Sequence, residues 1–107
     1  MQCMNHRVTI LLTIRADDRS GLVDFLRQAL PLYESPGGIR VRLLQKLDDP
    51  RSFIEVIEYE DRATYEEDQV RIESQVEMRT CLETWRGLLA GPPIVESYYD
   101  VTDDLRT

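Results

Sequence analysis

The sequence predicts an α+β fold of βαββαβ order, in which one four-stranded antiparallel sheet carries two helices on one of its faces. Two observations support this fold. Several segments alternate apolar with polar residues, as strands do, and others space apolar residues as helices do. At 107 residues the chain has the length of one domain. We therefore predict a single domain over residues 1–107, with frayed tails at 1–6 and 102–107.

The first strand and the first helix are predicted at residues 8–14 and 22–33. In the strand, an apolar set at 8, 10, 12 and 14 alternates with Thr9, Leu11 and Thr13, which is typical of β structure. Asp17 or Asp18 precedes the helix, where a carboxylate can accept a hydrogen bond from a free backbone amide of the first turn. Apolar residues then recur at helical spacing, until the Ser-Pro-Gly-Gly sequence at 35–38 ends the helix.

Two further strands, at 39–47 and 52–59, form a predicted hairpin around the turn sequence Asp-Asp-Pro-Arg at 48–51. If those four residues make the loop, Leu44 faces Glu55 across the hairpin. Each residue of the two strands is thereby assigned to one face of the sheet.

In this register Arg42 faces Ile57, and Glu55 lies diagonally between Arg42 and Lys46. One face of the sheet is then apolar enough to meet both helices. It is predicted to consist of Val8, Ile10, Leu12, Ile14, Ile39, Val41, Leu43, Ile54 and Val56.

The second helix begins at Asp61, whose side chain can cap it, and acidic residues follow in the first turn, where the helix dipole favours them. Its first half is highly charged, whereas residues 78–89 carry an apolar stripe. This contrast allows a break or bend between the halves, although no glycine or proline marks one. Gly-Pro-Pro at 91–93 ends the helix, and residues 94–101 alternate as a fourth strand. The resulting order is the ferredoxin-like arrangement.

The second face of the predicted sheet is half apolar, and no third helix is available to cover it. An apolar patch of that size is rarely left in contact with water. A second copy of the sheet, related by a twofold axis, would bury both patches, so we predict a homodimer; a monomer with an open amphipathic sheet remains the alternative. The predicted dimer face consists of Leu11, Leu44, Phe53, Ile57 and Tyr59.

The charge of the chain disfavours several classes of partner. Thirteen basic against twenty acidic residues give a net charge of −7, which repels nucleic acid and anionic membrane surfaces. The longest apolar run is far shorter than the ~20 residues that a membrane-spanning helix needs, and the first residues do not resemble a signal peptide. We therefore expect a cytoplasmic protein that binds neither nucleic acid nor membrane.

Few residues suit a metal or cofactor site. His6 is the only histidine, so neither a histidine-based metal site nor a nucleophile–histidine pair can be assembled. Gly37-Gly38 lacks the lysine and helix that a phosphate-binding loop needs. No metal and no cofactor are therefore expected. Cys3 and Cys81 are expected to remain thiols, with Cys81 as a small core residue.

The cations Arg40, Arg42 and Lys46 share one face of the second strand. They could bind an acidic ligand, or they could pair with Glu55 and with acids across the dimer. Pairing is the preferred interpretation, because a matching carboxylate lies beside them and the protein is otherwise acidic.

The sequence resembles the dimeric α/β-barrel superfamily, particularly its antibiotic biosynthesis monooxygenase-like group. The resemblance spans almost the whole chain. It lies in the Val-Thr-Ile-Leu-Leu-Thr-Ile strand at 8–14 leading into Gly-Leu-Val-Asp-Phe-Leu at 21–26, in the strand at 53–61 that enters a helix, and in the final strand at 95–101. The superfamily includes cofactor-independent oxygenases acting on polycyclic phenols, haem-degrading enzymes and proteins without established chemistry.

The resemblance implies a pocket between sheet and helices, bordered here by Tyr33, Glu58, Tyr65 and Trp85. Trp85 could orient a substrate oxygen or simply be a core residue. Tyr65 could donate a proton or be a surface aromatic or dimer contact. Glu58, if buried, could act as a base, or a bulge could turn it to solvent.

Members of the superfamily often carry a histidine early in the second helix, and residues 65–69 contain none. This difference argues against the haem-degrading branch and weakens the similarity to a phenol oxygenase. Two hypotheses follow. The chain is a cofactor-independent monooxygenase-like enzyme acting on a small aromatic or quinone-like compound, with Trp85, Tyr65 and Glu58 as catalytic residues and Tyr33 and Trp85 in the substrate pocket. Alternatively, it is a non-catalytic homodimeric module that binds a small hydrophobic ligand or serves assembly.

Overall fold

The computed structural model describes residues 6–106, and its elements follow the predicted order, with the second helix divided in two. The strands are β1 (Arg7–Arg15), β2 (Ile39–Lys46), β3 (Asp49–Tyr59) and β4 (Ile94–Asp100). The helices are α1 (Arg19–Tyr33), α2 (Arg62–Ser74) and α3 (Val76–Gly87), followed by a 3-10 helix at Thr102–Arg106. The strands form one antiparallel sheet in the order β2-β3-β1-β4. The predicted α+β, ferredoxin-like fold is confirmed.

Most of the tail expected to be frayed at the amino end, with Cys3, lies outside the described residues. At the other end, residues 102–106 of the tail expected to be frayed form the 3-10 helix. None of the described helices is both long enough and apolar enough to cross a membrane.

Helix α1 ends at Tyr33 as predicted and begins at Arg19, directly after Asp18, one of the two predicted caps. The Asp18 carboxylate caps it by accepting a hydrogen bond from the backbone amide of Gly21 over 3.0 Å. At the other end, Gly37 and Gly38 adopt φ values of 84° and 72°, a backbone region that glycine enters without steric cost. These two residues let the chain turn back from the helix into β2.

The hairpin between β2 and β3 differs from the prediction. Its turn consists of two residues, Leu47 and Asp48, and β3 begins directly after them. Lys46 pairs with Asp49, whereas Gln45 already pairs with residue 53, so residues 50–52 of β3 form a bulge that has no counterpart in β2. The predicted four-residue loop is therefore wrong.

Beyond the bulge, the register of the hairpin is shifted by one residue. Leu44 faces Ile54 and Arg42 faces Val56, where the prediction had Glu55 and Ile57. Because neighbouring side chains of a strand point to opposite faces, a shift of one residue exchanges the two faces of β3 relative to the prediction.

The pairing of β3 with β1 shows which residues meet the helices. This helix-covered face consists of Val8, Ile10, Leu12 and Ile14 from β1, Phe53, Glu55, Ile57 and Tyr59 from β3, and Ile39, Val41 and Leu43 from β2. The opposite, open face includes Thr9, Leu11, Thr13, Ile54, Val56, Glu58, Arg42 and Leu44. Leu11 and Leu44 thus lie on the predicted side of the sheet.

The assignment of Phe53, Ile57 and Tyr59 to the dimer face is wrong. All three point toward the helices, and Phe53 and Tyr59 are buried core residues with exposed fractions of 2% and 1%. The error has one cause, the unrecognised bulge. Conversely, Ile54 and Val56, which were predicted to meet the helices, lie on the open face.

Helices α2 and α3 are separated at Gln75, whose φ and ψ of −97° and 126° are extended. Of the two alternatives left open, the structure shows a break. Near it, the Ser74 hydroxyl donates to the carbonyl of Val70 over 2.7 Å, a contact that competes with helical hydrogen bonding. The helices also differ in what they bury. Asp68 is the buried residue of α2, whereas α3 buries Met78 and Trp85.

The core is divided between two apolar clusters on the helix-covered face. The larger cluster joins α1 and α3 to the sheet and consists of Ile14, Ala16, Leu22, Leu26, Ala29, Tyr33, Phe53, Met78 and Trp85. The smaller cluster, Val8, Ile10, Ile39 and Tyr59, is packed against Tyr65 of α2. Between them lies the space in which the candidate site is found.

Candidate active site

Glu55 is a buried carboxylate in the middle of the sheet. Its neighbours on the flanking strands are Leu12 and Leu43, and only 3% of the residue is exposed. The indole nitrogen of Trp85 donates a hydrogen bond to its Oε1 over 3.1 Å. Burial raises the pKa of Glu55 from 4.5 to about 7, while the hydrogen bond from Trp85 acts in the opposite direction. Glu55 can therefore both accept and release a proton near neutral pH.

A cavity of about 60 Å³ lies beside Glu55, between the sheet and helices α2 and α3. Its walls are mostly apolar and include Leu12, Val41, Ile57, Met78 and Leu82. Its polar side chains are Tyr33, Glu55, Asp68, Arg71 and Trp85. The cavity is thus an apolar space that a few polar groups enter, which is the usual composition of a small-molecule site.

Tyr33 is the last residue of α1, and it is 8% exposed. Its side chain lines the cavity. The Cys81 thiol lies 3.7 Å from its hydroxyl oxygen and donates to it. Burial, the contact with Cys81 and the charge of Glu55 all raise the pKa of Tyr33 far above its ordinary value. The hydroxyl therefore remains protonated at any physiological pH.

The Asp68 and Arg71 side chains form a buried ion pair, with 2.7 Å between Arg71 Nη2 and Asp68 Oδ1. The hydroxyl of Tyr59 donates to the other carboxylate oxygen of Asp68 over 2.5 Å. Arg71 also donates to the carbonyls of Leu32 and Tyr33 over 2.7 and 2.9 Å. Because each charge is compensated by hydrogen bonds, this network can hold the end of α1 against α2.

Comparison with known proteins identifies the family. A family model described as antibiotic biosynthesis monooxygenase matches residues 5–67, more than half of the chain. The chain belongs to the antibiotic biosynthesis monooxygenase family. Comparison with curated proteins gave no match.

Solved structures share the fold over nearly the whole chain. A protein from Nitrosomonas europaea, assigned to the antibiotic biosynthesis monooxygenases, is 18% identical to this chain. Its TM-score is 0.73, over 94% of this chain and 96% of that chain. SnoaB, a cofactor-independent oxygenase from Streptomyces nogalater, is 14% identical, with a TM-score of 0.69 over 87% and 91%. Protein SO0527 from Shewanella oneidensis is 16% identical, with a TM-score of 0.68 over 92% and 95%. At these identities the likeness shows the fold alone.

Two of the residues predicted to border a pocket in this family member do line the cavity, namely Tyr33 and Trp85. Tyr65 is not among the cavity residues. Its ring packs edge-on against Tyr59, with 5.4 Å between the centroids, and it borders a separate groove of about 190 Å³ beside Tyr99.

Of the two alternatives for Glu58, the structure shows the second, because the residue faces away from the helices and is not a buried base. It lies on the open face and pairs with Arg42, with 3.3 Å between Arg42 Nε and Glu58 Oε1. The predicted pairing of Arg42 with Glu55 is wrong for the same reason, the shifted register. Lys46 lies 3.9 Å from Asp48 at the turn.

The buried carboxylate of β3 is Glu55 and not Glu58, the residue of the same strand for which burial was considered. Glu55 stands within the segment Phe-Ile-Glu-Val-Ile at 53–57, and a single carboxylate in such a run is the signal that could have revealed it. It was interpreted as a surface residue because the hairpin loop was predicted to be four residues long. Asp68 and Arg71 gave no comparable signal, since they stand in a helix rich in charge.

Proposed function

We propose that this protein is a cofactor-independent monooxygenase-like enzyme in which Glu55 acts as the general base on a small aromatic or quinone-like compound. The observation that carries the proposal is a buried carboxylate, with a pKa of about 7, facing an apolar cavity. Membership of the antibiotic biosynthesis monooxygenase family and the shared fold of SnoaB, a cofactor-independent oxygenase, support the same reaction class.

The proposed reaction needs only a base and dioxygen. Glu55 takes a proton from an activated carbon of the substrate, which leaves a carbanion conjugated with the substrate's oxygen. The carbanion transfers its electron pair to dioxygen to form a carbon–oxygen bond, and protonation gives a hydroperoxide. Loss of water from the hydroperoxide leaves a carbonyl, so that one CH₂ group and O₂ give one C=O group and H₂O. The protonated Glu55 returns its proton to the peroxide oxygen.

An aromatic substrate requires the cavity to widen. A buried cavity of roughly 150 Å³ is enough to hold benzene, and the space beside Glu55 is about 60 Å³. Met78 forms part of its wall and follows the break at Gln75. Methionine adapts its shape readily because it is unbranched. The start of α3 is therefore the part of the wall best suited to move when a larger ligand binds.

The decisive measurement is oxygen consumption with a panel of hydroquinones and anthrones. We expect Glu55→Gln to lower the rate by about a hundredfold or more, in line with the usual contribution of a general base. Glu55→Asp should retain part of the activity. Glu83→Gln is the matched control, because Glu83 is exposed on α3. Equal rates for Glu55→Gln and the wild type would exclude Glu55 as the base.

A non-catalytic module that binds a small hydrophobic ligand is the second candidate function, and the small volume of the cavity favours it. In that case the wild type would consume no oxygen with any compound of the panel. Binding of a small apolar ligand would still change the fluorescence of Trp85, the only tryptophan in the chain. A cytoplasmic location stays a prediction for either function.

We also propose that the chain forms a homodimer through the open face of its sheet. Leu11 and Ile54 are half-buried there, and Leu44, beside Ile54, is 46% exposed. The open face of β4 adds exposed apolar residues to this patch, namely Ile94 and Tyr98. A twofold axis would allow the patch to bury itself against its own copy.

Light scattering tests the dimer. We expect a mass of about twice the 12.5 kDa of the chain, and we expect Leu11→Asp to shift the protein to monomer or aggregate. Leu47→Asp is the control, since Leu47 is fully exposed at the hairpin turn. A wild type that stays monomeric at micromolar concentration would exclude the dimer.

A further inference from the structure

Two side chains that line the cavity, Glu55 and Tyr33, can still form hydrogen bonds with a bound molecule. Glu55 uses Oε1 to accept from Trp85, and within residues 6–106 its Oε2 accepts no hydrogen bond. On another wall of the same cavity, the hydroxyl of Tyr33 has the sulfur of Cys81 as its only hydrogen-bond partner among the described residues, at 3.7 Å. Sulfur is a weak hydrogen-bonding partner, so the hydroxyl proton is available to a bound molecule.

The other polar groups around the cavity are already engaged. The indole N–H of Trp85 is committed to Glu55. The guanidinium of Arg71 donates to Asp68 and to the carbonyls of Leu32 and Tyr33. Among the described lining residues, Tyr33 is therefore the donor that can serve an oxygen of the substrate.

Tyr33 is also held in position from both ends. Arg71 binds its carbonyl over 2.9 Å, and its ring belongs to the larger apolar cluster. A donor that is fixed before the reaction stabilises a developing anion without the cost of reorganisation. Burial keeps the pKa of the Tyr33 hydroxyl high, so it remains a neutral donor while the charge beside it changes.

We propose that Tyr33 is a catalytic residue that donates the hydrogen bond to the substrate oxygen which becomes negative when Glu55 removes a proton. This inference rests on the proposed function, because it assigns the partner of the same base. It also defines the substrate class. The substrate enters as a neutral molecule with an acidic C–H group conjugated with a carbonyl oxygen, as in an anthrone, since a second anion beside Glu55 would be repelled.

The test uses 4-nitrophenol, whose visible absorption distinguishes the phenol from the phenolate. It is bound to the wild type and, in parallel, to Met78→Ala, whose cavity is larger. The ionised fraction of the bound probe is measured against pH. We expect Tyr33→Phe to lower the ratio of bound phenolate to phenol about tenfold, the effect of losing one hydrogen bond to a charged oxygen. Tyr65→Phe is the control and should leave the ratio unchanged, because Tyr65 lies outside the cavity.

The variant Cys81→Ala distinguishes the role of the Tyr33 hydroxyl from the role of the Cys81 thiol. If Tyr33 is the donor, Cys81→Ala keeps the wild-type ratio; a loss equal to that of Tyr33→Phe would assign the role to Cys81 and overturn the inference. An unchanged ratio in Tyr33→Phe would also overturn it, as would the absence of probe binding to both the wild type and Met78→Ala. The measurement needs no turnover, so a failure to consume oxygen would contradict only the proposed function.

Discussion

The indole nitrogen of Trp85 lies 3.1 Å from a carboxylate oxygen of Glu55, and both side chains are buried on the helix-covered face of the sheet. The contact joins helix α3 to the central strand β3. It also places the single tryptophan of the chain against a carboxylate whose pKa is raised to about 7. Changes in the charge of Glu55 should therefore be visible in the fluorescence of Trp85.

The stability of the protein should fall as pH rises from about 4.5 to about 7 because of Glu55. Its pKa is about 7 in the folded state against an ordinary 4.5, so over this interval the unfolded chain loses the proton first and is favoured. The loss is on the order of 3 kcal/mol at pH 7 and above. Urea unfolding of the wild type and Glu55→Gln at about pH 4.5 and pH 8 measures it.

The difference in stability between the wild type and Glu55→Gln separates the contribution of Glu55 from the contributions of the other carboxylates. Hydrogen bonds lower the pKa values of Asp49, Asp61 and Asp100, which gives stability that is lost on acidification below their ordinary pKa. Both proteins share that contribution. A wild type whose stability follows pH in parallel with Glu55→Gln would show that Glu55 has an ordinary pKa.

Replacing Trp85 with phenylalanine should raise the pKa of Glu55 further. The indole hydrogen bond lowers this pKa, and its removal leaves the charged form with one fewer donor, an effect of about one pKa unit. Carbon NMR of the labelled glutamate carboxyl groups measures the pKa, with Tyr65→Phe as the control. A lower pKa in Trp85→Phe would show that water entering beside the smaller ring outweighs the lost hydrogen bond.

Truncation of Met78 to alanine should weaken the fold and improve the binding of single-ring ligands. Met78 is 2% exposed, and removal of a buried methionine side chain usually costs about 2–5 kcal/mol. The space that it leaves adjoins the 60 Å³ cavity. Thermal unfolding and titration with phenol measure the two effects. Val76→Ala is the control, since Val76 is 67% exposed. Unchanged phenol affinity in Met78→Ala would show that this side chain does not limit the cavity.

Substitution of Arg71 by methionine should cost about 3–5 kcal/mol of unfolding free energy, because it leaves the Asp68 carboxylate buried without its partner. Chemical denaturation measures the loss. The matched control is Arg27→Met. Arg27 pairs with Asp24 over 3.0 Å on the surface of α1, where such pairs contribute about 0–1 kcal/mol. Asp68→Asn in the Arg71→Met background should restore part of the stability. Equal losses for the two arginines would contradict a buried ion pair.

The order of the elements could be predicted because local signals determine it. Asp18 and Asp61 cap their helices as expected, and the alternation of β1 indicates both its strand and its buried side. The contrast between the charged first half and the apolar second half of the predicted second helix likewise indicated a break or bend there. These features depend on residues close together in the chain, so that one sequence is enough to find them.

The site depended on a feature that local signals do not determine. Whether Glu55 or Glu58 faces the helices depends on how many residues of the hairpin have no pairing partner between β2 and β3. Asp49 and Pro50 resemble a turn, yet they belong to β3. The pairing of β1 with β3, which sets Leu12 opposite Glu55, joins residues more than forty positions apart and leaves no local trace.

The bulge at residues 50–52 has a consequence for evolution and engineering. Glu55 is aligned by β1 as well as by β2, so the hairpin tip can gain or lose residues while the central ladder keeps the carboxylate in place. Relatives with hairpins of different length should therefore be aligned on the ladder, and a peptide inserted after Leu47 should leave the chemistry intact. The tip is a place where new binding specificity can be added to this fold at little risk to its reaction.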